Sequence, residues 1–257
     1  MKQILVGLMS ALMVMPFAGT ALAQSGQSNL SSKQSWPSPV DDSESHGLLL
    51  ADILEIGRQD GVNSLTWDIE SWRGGDINRV WIKSEGERLL TSQVGGNADL
   101  QTLYGRLLTA YFDFQIGARF ERRSERNETT DKLQAVVGIE GLALYMYELE
   151  ALAFIGDGGD VSVRVTASQD YLFTQRAIAQ LRIETSGGAR ADEKFGIGSG
   201  VRDLGLGFRI RYEIRRELAP YIGIGWNMLF GETADLSKRA DGNTPDVATV
   251  AGLRAWY

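Results

Sequence analysis

Few residues of this chain can act as soft metal ligands or as nucleophilic catalysts. The 257-residue sequence has no Cys and a single His, His46, which excludes disulfides, thiolate metal sites and cysteine nucleophiles. Of its six Met residues, only Met146 and Met228 lie beyond the first 23 positions. Any chemistry must therefore depend mainly on carboxylates and on one imidazole.

The carboxylates recur at alternate positions of short stretches. Asp68 and Glu70 lie on one face of the stretch 65–70, opposite three apolar side chains. The same alternation recurs in the stretches 112–121 and 204–213. Since side chains of a β-strand point alternately to its two faces, this pattern indicates strands with one charged face and one apolar face. By the same parity, we expect Met228 to lie on an apolar face.

The pattern predicts an all-β fold of about twelve strands, at 46–57, 63–73, 76–88, 98–109, 111–122, 131–141, 146–155, 160–171, 176–186, 201–215, 218–231 and 247–257. Short connections alternate with longer polar ones, and the chain ends on an aromatic pair, Trp256 and Tyr257. A soluble β-protein would show the same alternation of apolar and polar residues along its strands. The alternation of short and long connections and the aromatic end of the last strand favour a transmembrane antiparallel β-barrel, with lipid outside and a polar lumen inside.

The N-terminus predicts export. Lys2 precedes an apolar stretch from Ile4 to Phe17, and Ala21-Leu22-Ala23 has the small-x-small pattern of a cleavage site. We therefore predict a signal peptide at 1–23, a short disordered segment at 24–45 and an outer-membrane barrel at 46–257. The net charge of −7 argues against nucleic acid as a partner.

The sequence resembles the copper resistance protein B family of outer-membrane barrels. The resemblance is carried by 65–68 (LTWD), 74–87 (GGDINRVWIKSEGE), 101–106 (QTLYGR), 196–200 (GIGSG), 209–221 (RIRYEIRRELAPY), 230–235 (FGETAD) and 252–257 (GLRAWY). It implies a barrel that binds copper or passes it across the outer membrane. Many family members carry a Met- and His-rich N-terminal extension, whereas residues 24–45 contain neither residue. Any copper chemistry of this chain must therefore depend on the barrel.

The candidate metal ligands are few, and they suit weak binding of a copper ion. They are His46, Met146, Asp68, Glu70, Glu148 and Glu150. Inward-facing charges have two interpretations: a structural ion-pair network that fills the lumen, or a conduit whose carboxylates attract cations. We expect outer-membrane lipid and copper ions as partners, together with periplasmic copper-handling proteins.

Two other functions remain open at this point. A purely structural barrel would share the same pattern. An outer-membrane hydrolase resembling a phospholipase would need a Ser nucleophile and a His base on neighbouring strands. His46 would have to be that base, with Ser45, Ser64 or Ser71 as the nucleophile. None of these serines lies in a recognisable catalytic motif, so a protein without enzymatic activity is the favoured interpretation.

Overall fold

The computed structural model describes residues 44–59, 61–90, 95–125, 128–191, 198–239 and 246–257. The predicted signal peptide lies outside these residues, as does the predicted N-terminal segment except for its last two positions.

The described residues form twelve antiparallel strands that close into a barrel. The strands are β1 (His46–Gln59), β2 (Val62–Gly74), β3 (Asn78–Leu89), β4 (Gly95–Thr109), β5 (Phe112–Glu125), β6 (Glu128–Leu142), β7 (Glu148–Ile155), β8 (Val161–Leu172), β9 (Ala177–Gly188), β10 (Gly200–Tyr212), β11 (Leu218–Leu229) and β12 (Asp246–Trp256). Each strand pairs with the next, and β12 pairs with β1. The predicted fold class is confirmed.

The two ends of the barrel differ in their connections. The short turns β2–β3, β4–β5, β6–β7, β8–β9 and β10–β11 lie at the end where β1 begins and β12 ends. In outer-membrane barrels the short turns face the periplasm, so this is the periplasmic end. The turn before β7 contains Tyr145 and Met146 in left-handed conformation, so β7 begins at Glu148 instead of the predicted 146.

The opposite, extracellular end carries a helix that the sequence pattern did not predict. Helix α1 (Gly231–Arg239) lies in the connection between β11 and β12. Its Thr233 and Ala234 are buried, and the Gly198 N–H donates to Thr233 Oγ1 at 2.9 Å. None of the helices in the described ranges is long or apolar enough to cross a membrane.

Alternation sorts the side chains between lipid and lumen. Outward positions carry large exposed apolar residues such as Ile56, Ile222 and Ile224. A register shift between Ala51 and Ile53 interrupts β1. Both Asp52 and Ile53 consequently line the lumen, although they are neighbours in sequence. A β-bulge of this kind changes the direction in which neighbouring side chains point and leaves one residue without a partner on the adjacent strand.

One side of the lumen is filled by an apolar cluster. Its members are Trp81, Leu103, Val136, Leu152 and Phe154, with Trp72 packed against them. Gly105 makes room for it, since a Cβ there would lie 2.6 Å from Trp81 Nε1. The guanidinium of Arg119 lies 4.4 Å from the centroid of the Phe154 ring. The same strands also carry charged lumen residues, such as Lys83 on β3 and Glu150 on β7, so the cluster fills only part of this side of the lumen.

Replacing Trp81 with Ala should lower the free energy of unfolding by about 3–5 kcal/mol, as expected when a large buried aromatic side chain leaves a cavity. Urea unfolding of the protein in detergent micelles measures this loss. Ile222→Ala is the matched control, because Ile222 is 68% exposed on the outer face. Equal losses for the two variants would contradict the assignment of Trp81 to a packed lumen cluster.

Candidate functional site

The polar part of the lumen contains two cavities, one towards each end of the barrel. The extracellular cavity has a volume of about 520 Å³ and the periplasmic cavity about 310 Å³. Asp68, Glu85 and Arg182 line both. These three side chains therefore mark the level at which the two cavities meet.

Ion pairs bridge the lumen at this level. Arg182 lies 2.9 Å from Asp68 and 3.5 Å from Asp52. Arg164 donates to both carboxylate oxygens of Glu85, at 2.6 and 2.8 Å. Bidentate pairs of this kind are the strongest and most directional ion pairs that side chains make. They obstruct a straight path between the two cavities.

The periplasmic cavity is strongly acidic. Among the described residues, its lining includes seven carboxylates, namely Asp52, Asp68, Glu70, Glu85, Glu140, Glu148 and Glu150. The cationic lining residues are Lys83, Arg182 and Arg254. The carboxylates outnumber the cationic side chains, and a concave surface with low-dielectric walls concentrates their electric field. This cavity therefore attracts cations and repels anions.

The structure brings four of the six predicted metal ligands together in this cavity. Asp68 pairs with Arg182, and Glu150 lies 2.5 Å from Lys83 Nζ. Glu148 accepts a hydrogen bond from Ser168 Oγ at 2.9 Å. Glu70 lines the cavity near Lys83 and interacts with it electrostatically.

The other two predicted ligands, His46 and Met146, lie at the periplasmic rim. His46 is the first residue of β1, is exposed, and pairs with Gly74. Met146 is 71% exposed in the turn before β7. Neither residue lines either cavity. In the described part of the chain, no three His, Asp or Glu side chains are grouped so as to hold a metal ion.

The alternation of 204–213 placed Arg209 and Arg211 on the charged, inward face, but the sequence prediction missed their partners, Glu55 and Asp170. It also missed the pair of Asp52 and Arg254. Arg209 donates to both carboxylate oxygens of Glu55 at 2.9 Å, and Arg254 donates to Asp52 at 2.7 Å. Arg211 pairs with Asp170. The alternation of side chains along β8 and β9 could have predicted that Arg164 and Arg182 face the lumen. The bulge in β1 interrupts this alternation, so it could not have predicted the position of Asp52. Many of the inward charges are therefore paired with one another across the lumen.

The geometry separates His46 from two of the three serines that a hydrolase could use, Ser64 and Ser71. His46 lies at the periplasmic end of β1, whereas Ser64 pairs with Gly57 near the extracellular end. Ser71 lies between the lumen-facing residues Glu70 and Trp72, so it points to the outer face. His46 thus cannot activate either serine, because a general base must be within hydrogen-bond reach of its nucleophile.

Comparison with known proteins agrees with the fold and decides the family. The NanC porin superposes with a TM-score of 0.52 at 10% identity, covering 82% of this chain and 99% of the porin. The sequence model of the family described as "Copper resistance protein B precursor (CopB)" matches residues 45–257. The chain belongs to the copper resistance protein B family.

Named relatives extend over most of the chain. Copper resistance protein B of Escherichia coli is 40% identical over 218 residues, which are 85% of this chain and 72% of the relative. The copper resistance protein B homolog of Pseudomonas syringae pv. tomato is 36% identical over 218 residues, which are again 85% of this chain and 72% of the relative. This family membership supports a role in copper resistance and, with the barrel fold, a location in the outer membrane.

Proposed function

We propose that this copper resistance protein B family member binds copper weakly in its lumen or passes it across the outer membrane, without an enzymatic step. The observation that carries the proposal is the carboxylate excess of the periplasmic cavity. The ion pairs already made there leave no preformed site for tight binding. An ion attracted into this cavity would be held loosely enough to leave again, which conduction requires.

The chemistry of the lining favours Cu(II) over Cu(I). Thiolate and thioether ligands select Cu(I), whereas carboxylate oxygens and imidazole suit the divalent ion. The cavity offers carboxylates, while Met146 lies at the rim and Met228 on β11 pairs with the outward-facing Leu204. His46 and Met146 at the periplasmic rim would exchange the ion with periplasmic copper-handling proteins.

Changing Glu148 and Glu150 together to Gln should lower copper tolerance. The change keeps the shapes of the side chains and removes two negative charges from the cavity. A unit charge about 4 Å from a divalent ion is worth about 2 kcal/mol even in water, so each substitution lowers local Cu(II) occupancy roughly thirtyfold. The measurement is the copper concentration that halves growth of a deletion strain carrying each variant.

Glu217→Gln is the matched control, since Glu217 is an exposed carboxylate of the periplasmic turn between β10 and β11 and does not line the cavity. It should leave tolerance at the wild-type value. Unchanged tolerance in the double variant would count against the lumen carboxylates. Unchanged tolerance in the deletion strain itself would support the purely structural barrel.

A further inference from the structure

A groove lies on the lipid-facing surface of the barrel, where β12 runs between β1 and β11. Its volume is about 530 Å³. The side chains that β12 presents here, Thr249 and Ala251, are small and exposed. Ala251 pairs with Ile56 on one side and with Ile222 on the other, so larger apolar side chains of the neighbouring strands form the walls. Since this surface faces the membrane, lipid fills the groove.

Two exposed arginines lie at the extracellular end of this surface. Arg58 lines the groove one position before β1 ends, and it pairs with Thr249 on β12 and with Asn63 on β2. Arg88 lies one position before the end of β3. It faces outward, because the preceding Glu87 lines the extracellular cavity of the lumen. Both guanidinium groups are thus available to the extracellular leaflet of the membrane.

These arginines differ from Arg122, the outward-facing arginine of β5. Arg122 forms an ion pair with Asp131 at 2.7 Å, whereas neither Arg58 nor Arg88 contacts a carboxylate in the part of the chain that the structure describes. An arginine on the outer face of a barrel is tolerated near the membrane interface but not in the hydrocarbon core. At the interface a guanidinium group binds phosphate through two parallel hydrogen bonds. The charge beside the groove therefore complements an anionic lipid headgroup.

We propose that the groove and the two arginines form a binding site for a phosphorylated lipid of the extracellular leaflet, with the chemistry of lipopolysaccharide. One acyl chain lies in the groove between Ile56 and Ile222, and the phosphates bind Arg58 and Arg88. The position of the arginines selects this leaflet, because headgroups of the periplasmic leaflet lie at the opposite end of the barrel. Lipid bound here packs across the seam between β1 and β12 that closes the barrel. The proposal depends on the outer-membrane location and not on the passage of copper.

The test counts the lipids that bind to the purified protein during titration with bisphosphorylated lipid A in detergent, by native mass spectrometry. The wild type should bind one molecule of lipid A more tightly than phosphatidylglycerol. Changing Arg58 and Arg88 together to Gln should weaken this binding at least about tenfold, because the contacts to phosphate are lost. Changing both to Lys keeps the charges and should retain most of the affinity. Ala251→Phe fills the groove and should also weaken binding.

The matched controls are Arg122→Gln and Ala118→Phe, which change exposed outward positions of β5 away from the groove. Both should bind lipid A like the wild type. Equal binding of lipid A by the wild type and the folded double Gln variant would overturn the proposal, and so would unchanged binding by folded Ala251→Phe. Phosphatidylglycerol bound as tightly as lipid A would reject a site for the lipid of the extracellular leaflet. The change in gel mobility on heating in dodecyl sulfate verifies that each variant is folded.

Discussion

Replacing Arg182 with Ala is expected to raise the cation conductance of the protein in planar bilayers roughly fivefold, because removing a unit charge about 4 Å from the ion path changes the ion's energy by about 1 kcal/mol. Arg182 lies where the two lumen cavities meet, within 4 Å of Asp52, Asp68 and Glu184. The Ala variant removes both the obstruction and the positive charge, while the carboxylates stay.

The same experiment reports selectivity. Under a KCl gradient, the reversal potential of Arg182→Ala should shift towards the value for a pure cation channel. Arg182→Lys keeps the charge and is the matched control, so its reversal potential should stay close to that of the wild type. An Ala variant with unchanged conductance and unchanged selectivity would show that ions do not pass this level of the lumen.

Replacing Arg209 with Met should lower the free energy of unfolding by about 3–5 kcal/mol, the usual loss when one partner of a buried ion pair is removed. Arg209 and Glu55 are 10% and 6% exposed and contact each other through two hydrogen bonds. The variant leaves the Glu55 carboxylate buried without its partner. Urea unfolding in detergent, followed by tryptophan fluorescence, measures the loss.

A second substitution, Glu55→Met, should restore most of that stability, because two apolar side chains replace the whole pair. The exposed pair of Arg122 and Asp131 provides the control: both side chains are more than 40% exposed, and Arg122→Met should leave the unfolding midpoint nearly unchanged. If Arg209→Met were as stable as this control, the lumen charges would be solvated like charges on an exposed surface. That result would contradict the burial of the Glu55–Arg209 pair in a packed network.

The fold was predictable from sequence because each spanning strand repeats one rule, apolar outside and polar inside. That rule placed Asp68, Glu70, Glu148 and Glu150 on the lumen face, where the periplasmic cavity now contains them. It also makes strand boundaries visible wherever the alternation stops. The predicted strand 201–215 was too long, since β10 ends at Tyr212 and Glu213 belongs to the following turn.

What alternation cannot predict is which residues meet across the lumen. Glu55 and Arg209 are separated by 154 positions in sequence, and no local pattern relates them. The bulge in β1 changes parity within a strand, which concealed Asp52. The rule also fails where the lumen is apolar. Inward positions there are occupied by Trp81, Leu103 and Leu152, whose side chains pack against one another instead of facing water.

The route proposed for copper across the outer membrane is the charged lumen of the barrel. Uptake of Cu(II) into liposomes that contain the purified, folded protein and an internal copper-sensitive dye tests it most directly. We expect uptake above that of protein-free liposomes, reduced by the double change of Glu148 and Glu150 to Gln and unaffected by Glu217→Gln. Liposomes that remain impermeable to copper with correctly folded protein in their membrane would contradict the claim.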